Sequence, residues 1–139
     1  MYRLIYASHA RASCIDDVPG ILEWSNTYNP SWGITGVLCL LDQTYMQYLE
    51  GEEEAVRTLF QSIRKDTRHQ DPTILDQRKI LQRAYPNWRM ALMQWDARTK
   101  AIFRSFSPGQ NLDLYASDPA TAAPLVRALT RNADWKFQP

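Results

Sequence analysis

Between residues 2 and 8 the side chains alternate with a period of two. Leu4, Tyr6 and Ser8 fall on one side, and Arg3, Ile5 and Ala7 on the other. That pattern predicts a strand, followed by a polar connection over residues 9–13. A helix is expected to begin at Asp16 or Asp17, whose carboxylates can cap free N–H groups, with Pro19 in its first turn. Val18, Ile21, Leu22 and Ser25 continue at helical spacing, although Gly20 weakens the helix by ~1 kcal/mol relative to Ala. Asn29-Pro30 ends it, because the residue before proline is pushed out of the helical region. Gly33 and Gly36 bracket a turn into Val37–Leu41, a strand apolar on both faces, and Asp42-Gln43 makes a tight connection to a third strand, Thr44–Leu49. On that strand Tyr45, Gln47 and Leu49 share one face.

The clearest helix follows over residues 52–65. Glu52, Glu53 and Glu54 suit its positive start, and Arg64 and Lys65 its negative end. Val56, Leu59, Phe60 and Ile63 form its apolar stripe. Asp66 to Pro72 reads as a polar loop carrying His69. Residues 73–83 read as a fourth strand and 89–95 as a fifth. The order β-α-β-β-α-β-β predicts an α+β, ferredoxin-like fold with a five-stranded mixed sheet. Two helices cover one face, and a helical C-terminal tail covers the other. Residues 1–95 make the core and residues 96–139 an extension packing on the sheet. In the tail, Pro119 suits a helix start, Pro124 a kink, and Leu125, Val126, Leu129, Trp135 and Phe137 need cover. In this topology the first and third strands are central neighbours, so Tyr6 and Gln47 should stand side by side beneath the helices.

Composition narrows the function. With 139 residues the chain suits one domain that needs no disulfide or metal. Sixteen basic and 15 acidic side chains, net +1, leave no electrostatic footprint for nucleic acid or an anionic membrane. Cys14 and Cys39 match no zinc or redox spacing, and Cys39 reads as a small buried hydrophobe. Met1 leads directly into a strand, and the longest apolar run, Val37–Leu41, cannot span a bilayer, so a cytoplasmic location is expected. No Walker loop, metal-ligand cluster or supported Ser/His/Asp order is present. The chain is not expected to be an enzyme.

The remaining chemistry lies in Tyr6, Asn29 and Gln47, polar groups set in or beside segments that otherwise read as core. Each has an ordinary structural role open to it: Tyr6 as a core aromatic, Asn29 as a helix cap. Gln47 needs partners for both ends of its amide. Together they suit a flat heterocycle rich in carbonyls and ring nitrogens. His69 taken alone reads as a solvated loop residue, Trp88 and Met90 as core filler, and Arg64, Lys65 and Arg68 as a solvated face or a phosphate contact.

The runs Tyr-Arg-Leu-Ile-Tyr6-Ala-Ser, Asn29 before Gly-Ile-Thr-Gly36, Gln47 before Leu-Glu-Gly51, Asp66-Thr-Arg-His69 and Trp88-Arg-Met90 together resemble the BLUF family of FAD-dependent blue-light sensors, in the family's order. The resemblance implies that Tyr6 gives an electron and a proton to the excited flavin. It implies that Gln47 hydrogen-bonds both Tyr6 and the flavin, and that Asn29 holds the ring's polar edge. Ile63 would pack on the ring, while Asp66, Arg68 and His69 would meet the ribityl and phosphate side. Trp88 and Met90 would relay the signal. The implied cofactor is FAD, with FMN or riboflavin also possible. The implied partners are a separate effector protein and further copies of a short stand-alone chain, with Trp135 and Phe137 in the output surface. Tyr28 departs from the His or Asn of other members, and Trp32 and Trp95 are extra indoles that could compete with Tyr6. The alternative is a ferredoxin-like module binding a flavin or metabolite without photochemistry. An acylphosphatase-like enzyme would need a glycine-rich cradle that the His9-Ala-Arg11 loop lacks, and an RNA-binding sheet would need a basic–aromatic third strand.

Overall fold

A computed structural model describes the chain apart from residues 12–13, 42–43, 87, 89, 94–96, 107–118, 133–134 and 138–139. The elements in order are β1 (Tyr2–Ala10), α1 (Cys14–Tyr28), a 3-10 turn (Pro30–Trp32), β2 (Thr35–Leu41) and β3 (Thr44–Gly51). They continue as α2 (Glu53–Arg64), β4 (His69–Lys79), β5 (Ala91–Met93), α3 (Ala97–Phe106), α4 (Pro119–Asn132) and β6 (Trp135–Phe137). One sheet runs β4-β1-β3-β2-β5-β6. Every adjacent pair is antiparallel except β2 and β5, so the sheet is mixed as expected. The α+β, ferredoxin-like plan holds, with β1 and β3 at the centre.

The alternation in β1 sorts its side chains between two cores. Leu4 and Tyr6 pack with Val18 and Leu22 of α1 and Val56, Leu59 and Phe60 of α2. Ile5 and Ala7 pack on the other face with Val37, Cys39, Met46 and the α4 residues Leu125, Val126 and Leu129. The tail helix therefore covers the face that α1 and α2 leave open. Burial pushes the Cys39 thiol up to about 12, in keeping with its reading as a small hydrophobe. In α2, Glu53 and Glu54 occupy the first turn and Arg64 the last, matching the helix dipole. Gly36 lets β2 pass against β3, because a Cβ there would overlap the Tyr48 carbonyl oxygen.

Several boundaries differ from expectation. The first helix begins at Cys14, which leaves Pro19 inside it rather than in the first turn. A bidentate ion pair from Arg11 to Asp17, both bonds 2.6 Å, anchors this end. The fourth strand starts at His69 and ends at Lys79, so His69 is a strand residue and not part of a loop. The register sets His9 against Gln70 and Ala7 against Thr73, so Asp71 and Pro72 together oppose Ser8 as a bulge. Asp71 adopts the left-handed φ of 53°, and Pro72 sits where the ladder needs no N–H. The fifth strand is described only over Ala91–Met93. Trp135 and Phe137 lie in a sixth strand antiparallel to β5 rather than in a helical tail. A three-residue segment carries too little periodicity to reveal itself. The Asp42-Gln43 connection and Trp95 lie outside the described residues.

Candidate functional site

A cleft of about 300 Å³ opens between α1 and α2 above the centre of the sheet. Its floor is one cross-strand row. Gln47 on β3 pairs with Tyr6 on β1 and with Leu38 on β2, and all three face the cleft. Ile21 on one side and Leu59 and Ile63 on the other give apolar walls, while Asn29 closes the α1 end. Lys65, Asp66, Arg68 and His69 line the part of the cleft formed where α2 gives way to β4.

The polar groups of the floor are organised. The Tyr6 hydroxyl donates to Gln47 Oε1 at 2.5 Å, and Gln47 Nε2 reaches Met90 Sδ at 3.3 Å. Both residues are only 4% exposed. Burial, with Asp66 and Tyr45 nearby, pushes the Tyr6 phenol far above its ordinary range, so it stays protonated at any physiological pH. His69 ties two elements together, with Nδ1 2.7 Å from the Ser8 hydroxyl and Nε2 2.5 Å from the Ile63 carbonyl. A carbonyl can only accept, so Nε2 carries a proton. Arg68 grips Asp66 through its guanidinium and its backbone N–H. Burial alone would raise the Asp66 carboxyl, but these contacts outweigh it and hold the group below the usual carboxylate range.

Asn29 is the exception. It is 2% exposed, and neither polar atom of its carboxamide has a hydrogen-bond partner among the described residues. Its backbone makes the turn, accepting from Trp32 and Ile34, while its side chain caps nothing. A buried amide with one donor and one acceptor end unmet, facing a slot with apolar walls, is the complement of a flat ring edged with carbonyls and imide N–H groups. A flavin fits this description.

Residues 1–91 match the family model described as BLUF, sensors of blue-light using FAD. The chain belongs to the BLUF family. Its structure is similar to that of BlsA in the ground state, with a TM-score of 0.86 at 26% identity over 99% of this chain and 91% of that one. It is also similar to the dark-state structure of BlrB, a BLUF protein, with a TM-score of 0.75 at 30% identity over 94% of this chain and 95% of that one. In sequence it is 30% identical over 97 residues to the photoactivated adenylate cyclase subunit beta of Euglena gracilis. That match takes in 69% of this chain and 11% of the cyclase subunit, so the chain spans about a tenth of that relative's length.

Seven of the residues that the BLUF resemblance singled out line the cleft: Tyr6, Asn29, Gln47, Ile63, Asp66, Arg68 and His69. The β5-side pair is divided between the two faces. Met90 is 1% exposed in the cleft-side core against Gln47. Trp88 packs with the opposite core, its ring 5.1 Å from that of Tyr85. Trp32 is exposed and does not line the cleft, whereas Trp24, Ser25, Leu38 and Tyr45 do. For Ser25 and Tyr45 the signal was present as helical or strand periodicity with Asn29 and Gln47, four residues on from Ser25 and two on from Tyr45. Glu50 is a further buried polar residue near the site. It is fully buried and accepts from the Tyr48 hydroxyl and from the backbone N–H groups of Ala84 and Tyr85, joining the end of β3 to the turn before Trp88.

Proposed function

We propose that this chain is a blue-light photoreceptor that binds FAD non-covalently in the cleft between α1 and α2, and that it has no enzymatic activity of its own. The observation that carries the reading is the Tyr6–Gln47–Met90 chain of contacts on the cleft floor beside the unmet amide of Asn29. When bound, the flavin supplies blue-light absorption and an acceptor for one electron. Tyr6 is the donor. Its phenol is buried and protonated, and Gln47 Oε1, 2.5 Å from the hydroxyl, is placed to take the proton as the electron leaves. Gln47 exchanges its donor and acceptor ends by rotating or by changing tautomer, and the electron and a proton then return to Tyr6, so that the switched state differs from the resting one in its hydrogen bonds and not in its oxidation state. In the present orientation Nε2 can donate to the Met90 sulfur. After a rotation the carbonyl end would face that sulfur, which cannot donate to it. Met90 therefore biases the resting arrangement and senses its loss, which is how a local hydrogen-bond change becomes a shift of β5.

Asn29 would orient the ring, Ile63 would pack on it, and Arg68 and Lys65 would meet the ribityl and phosphate side, with Asp66 and His69 holding that rim in shape. The output passes to a separate effector protein or to other copies of this chain, with the face carrying α3 and α4 as the candidate surface. The cyclic nucleotide chemistry named for larger relatives belongs to those whole proteins. Among the described residues no helix is long and apolar enough to cross a membrane.

The test is a pair of substitutions on the flavin-loaded protein. Tyr6→Phe and Gln47→Leu should both retain the flavin and lose the small, reversible red shift that blue light produces. A red shift of full size in Gln47→Leu would refute the relay and favour a flavin-binding module whose light response lies elsewhere.

A further inference from the structure

The cleft is too small for all of FAD. At about 300 Å³ it sits at the low end of pockets that bury a drug-sized ligand, ~300–1,000 Å³, and a dinucleotide exceeds that. The adenosine half must lie outside the slot, against whatever surface adjoins its mouth. Trp24 lines the cleft yet is 37% exposed, and Tyr28, one helical turn further, is 49% exposed. Their rings lie in tilted contact, centroids 5.0 Å apart and planes at 42°, on the same face of α1. Two large rings left open to water side by side make an aromatic platform at the edge of the slot.

The cationic groups lie where a diphosphate linking the two halves would need them. Arg68 presses its guanidinium against α1 at Gly20, where a Cβ would come within 3.3 Å of Nη1. Gly20 and Trp24 are four residues apart on one helix face, about 6 Å along the axis at ~1.5 Å per residue. Lys65 stands on the same rim. One Lys and one Arg against one Asp leave the lining net positive by one charge. A ligand with its ring in the slot and phosphates at Arg68 and Lys65 would bring its base over Trp24.

We propose that Trp24 and Tyr28 form a stacking subsite for a purine base, the adenine of FAD, and that this subsite makes the dinucleotide bind more tightly than the mononucleotide. The inference rests on the flavin reading of the cleft. Stacking on an aromatic side chain needs only the base's π-face and is sequence-tolerant. It therefore asks for no hydrogen-bonding group on α1 beyond those present. Tyr28 is the outer half of the platform.

The experiment is a set of binding titrations with FAD, FMN and riboflavin on the wild type, Trp24→Ala and Tyr28→Ala, followed by flavin fluorescence. The wild type should bind FAD about tenfold more tightly than FMN, within the range contributed by one base–aromatic stack. Trp24→Ala should bring that ratio close to one, and Tyr28→Ala should lower it by about half on a logarithmic scale, with FMN affinity unchanged in Tyr28→Ala. A wild-type ratio near one would overturn the subsite, as would variants that weaken FAD and FMN equally, because Trp24 would then be a wall of the ring slot only. If FMN and riboflavin also fail to bind the wild type, the flavin reading itself falls and takes the subsite with it, an outcome distinct from a flat ratio.

Discussion

Replacing Asn29 with alanine should separate stability from ligand binding in an unusual way. Asn29 is 2% exposed, with both ends of its amide unmet among the described residues and no side-chain cap. In the ligand-free protein, each unmet buried polar group costs ~1–3 kcal/mol, so deleting the amide removes a penalty. The loss of a small amount of packing offsets part of that gain. The ligand-free Asn29→Ala protein should therefore be as stable as the wild type, or more stable by up to ~1 kcal/mol. With flavin bound, the same amide supplies two neutral hydrogen bonds, each contributing ~0.5–1.5 kcal/mol net. Their removal should raise the Kd for FAD by roughly 5–150-fold. Chemical unfolding of the ligand-free protein and a flavin titration measure the two quantities independently. A variant that binds FAD normally but unfolds more than ~1 kcal/mol more easily would refute the reasoning, because Asn29 would then be a turn residue whose side chain serves the scaffold.

Other consequences follow from single contacts. Met90→Leu removes the sulfur that accepts from Gln47 Nε2 while keeping volume, so light should still shift the flavin spectrum but dark recovery should slow, by at most about tenfold. Absorption kinetics after a blue flash would show this. Glu50→Ala leaves the Tyr48 hydroxyl and the Ala84 and Tyr85 N–H groups without their acceptor and should cost about 2–4 kcal/mol in denaturant unfolding, with Glu50→Gln losing less. The Asp66 carboxyl is held below its ordinary range, so its contribution to stability is complete above the unfolded carboxylate pKa of ~3.9 and is lost as pH falls through the lower folded value. Asp66→Asn should flatten that acid limb in an unfolding series between roughly pH 5 and pH 2.

The parts of the fold that were legible in the sequence were those where one pattern of residue types dominates. β1 and β3 are rich in β-forming residues and buried on both faces, so strand order made them neighbours, and the register between them sets Tyr6 opposite Gln47. α2 carries both an apolar stripe and matched end charges. The start of β4 was hidden because an edge strand has one unpaired side. Its first residues, His69-Gln-Asp-Pro72, are polar and contain a bulge and a proline, which together imitate a loop. β6 is too short for any period to register. Within the site, residue types pointed to Tyr6, Gln47 and Asn29 because a buried amide or phenol demands a partner wherever it sits. Trp24 gave no such demand, since an indole on a helix is ordinary core until exposure shows otherwise. The division of Trp88 and Met90 between opposite faces depends on the turn that Glu50 holds from thirty-odd residues away, and no local pattern encodes that.

The central claim is that Tyr6 and Gln47 form a light-driven switch on bound flavin. Its most direct measurement is a light-minus-dark absorption spectrum of the FAD-loaded protein, with Tyr6→Phe recorded alongside. The account predicts a small red shift in the wild type that decays in the dark and is absent from a Tyr6→Phe protein with the same flavin content. A red shift of equal size in Tyr6→Phe, or a wild-type flavin spectrum that blue light does not move, would contradict it.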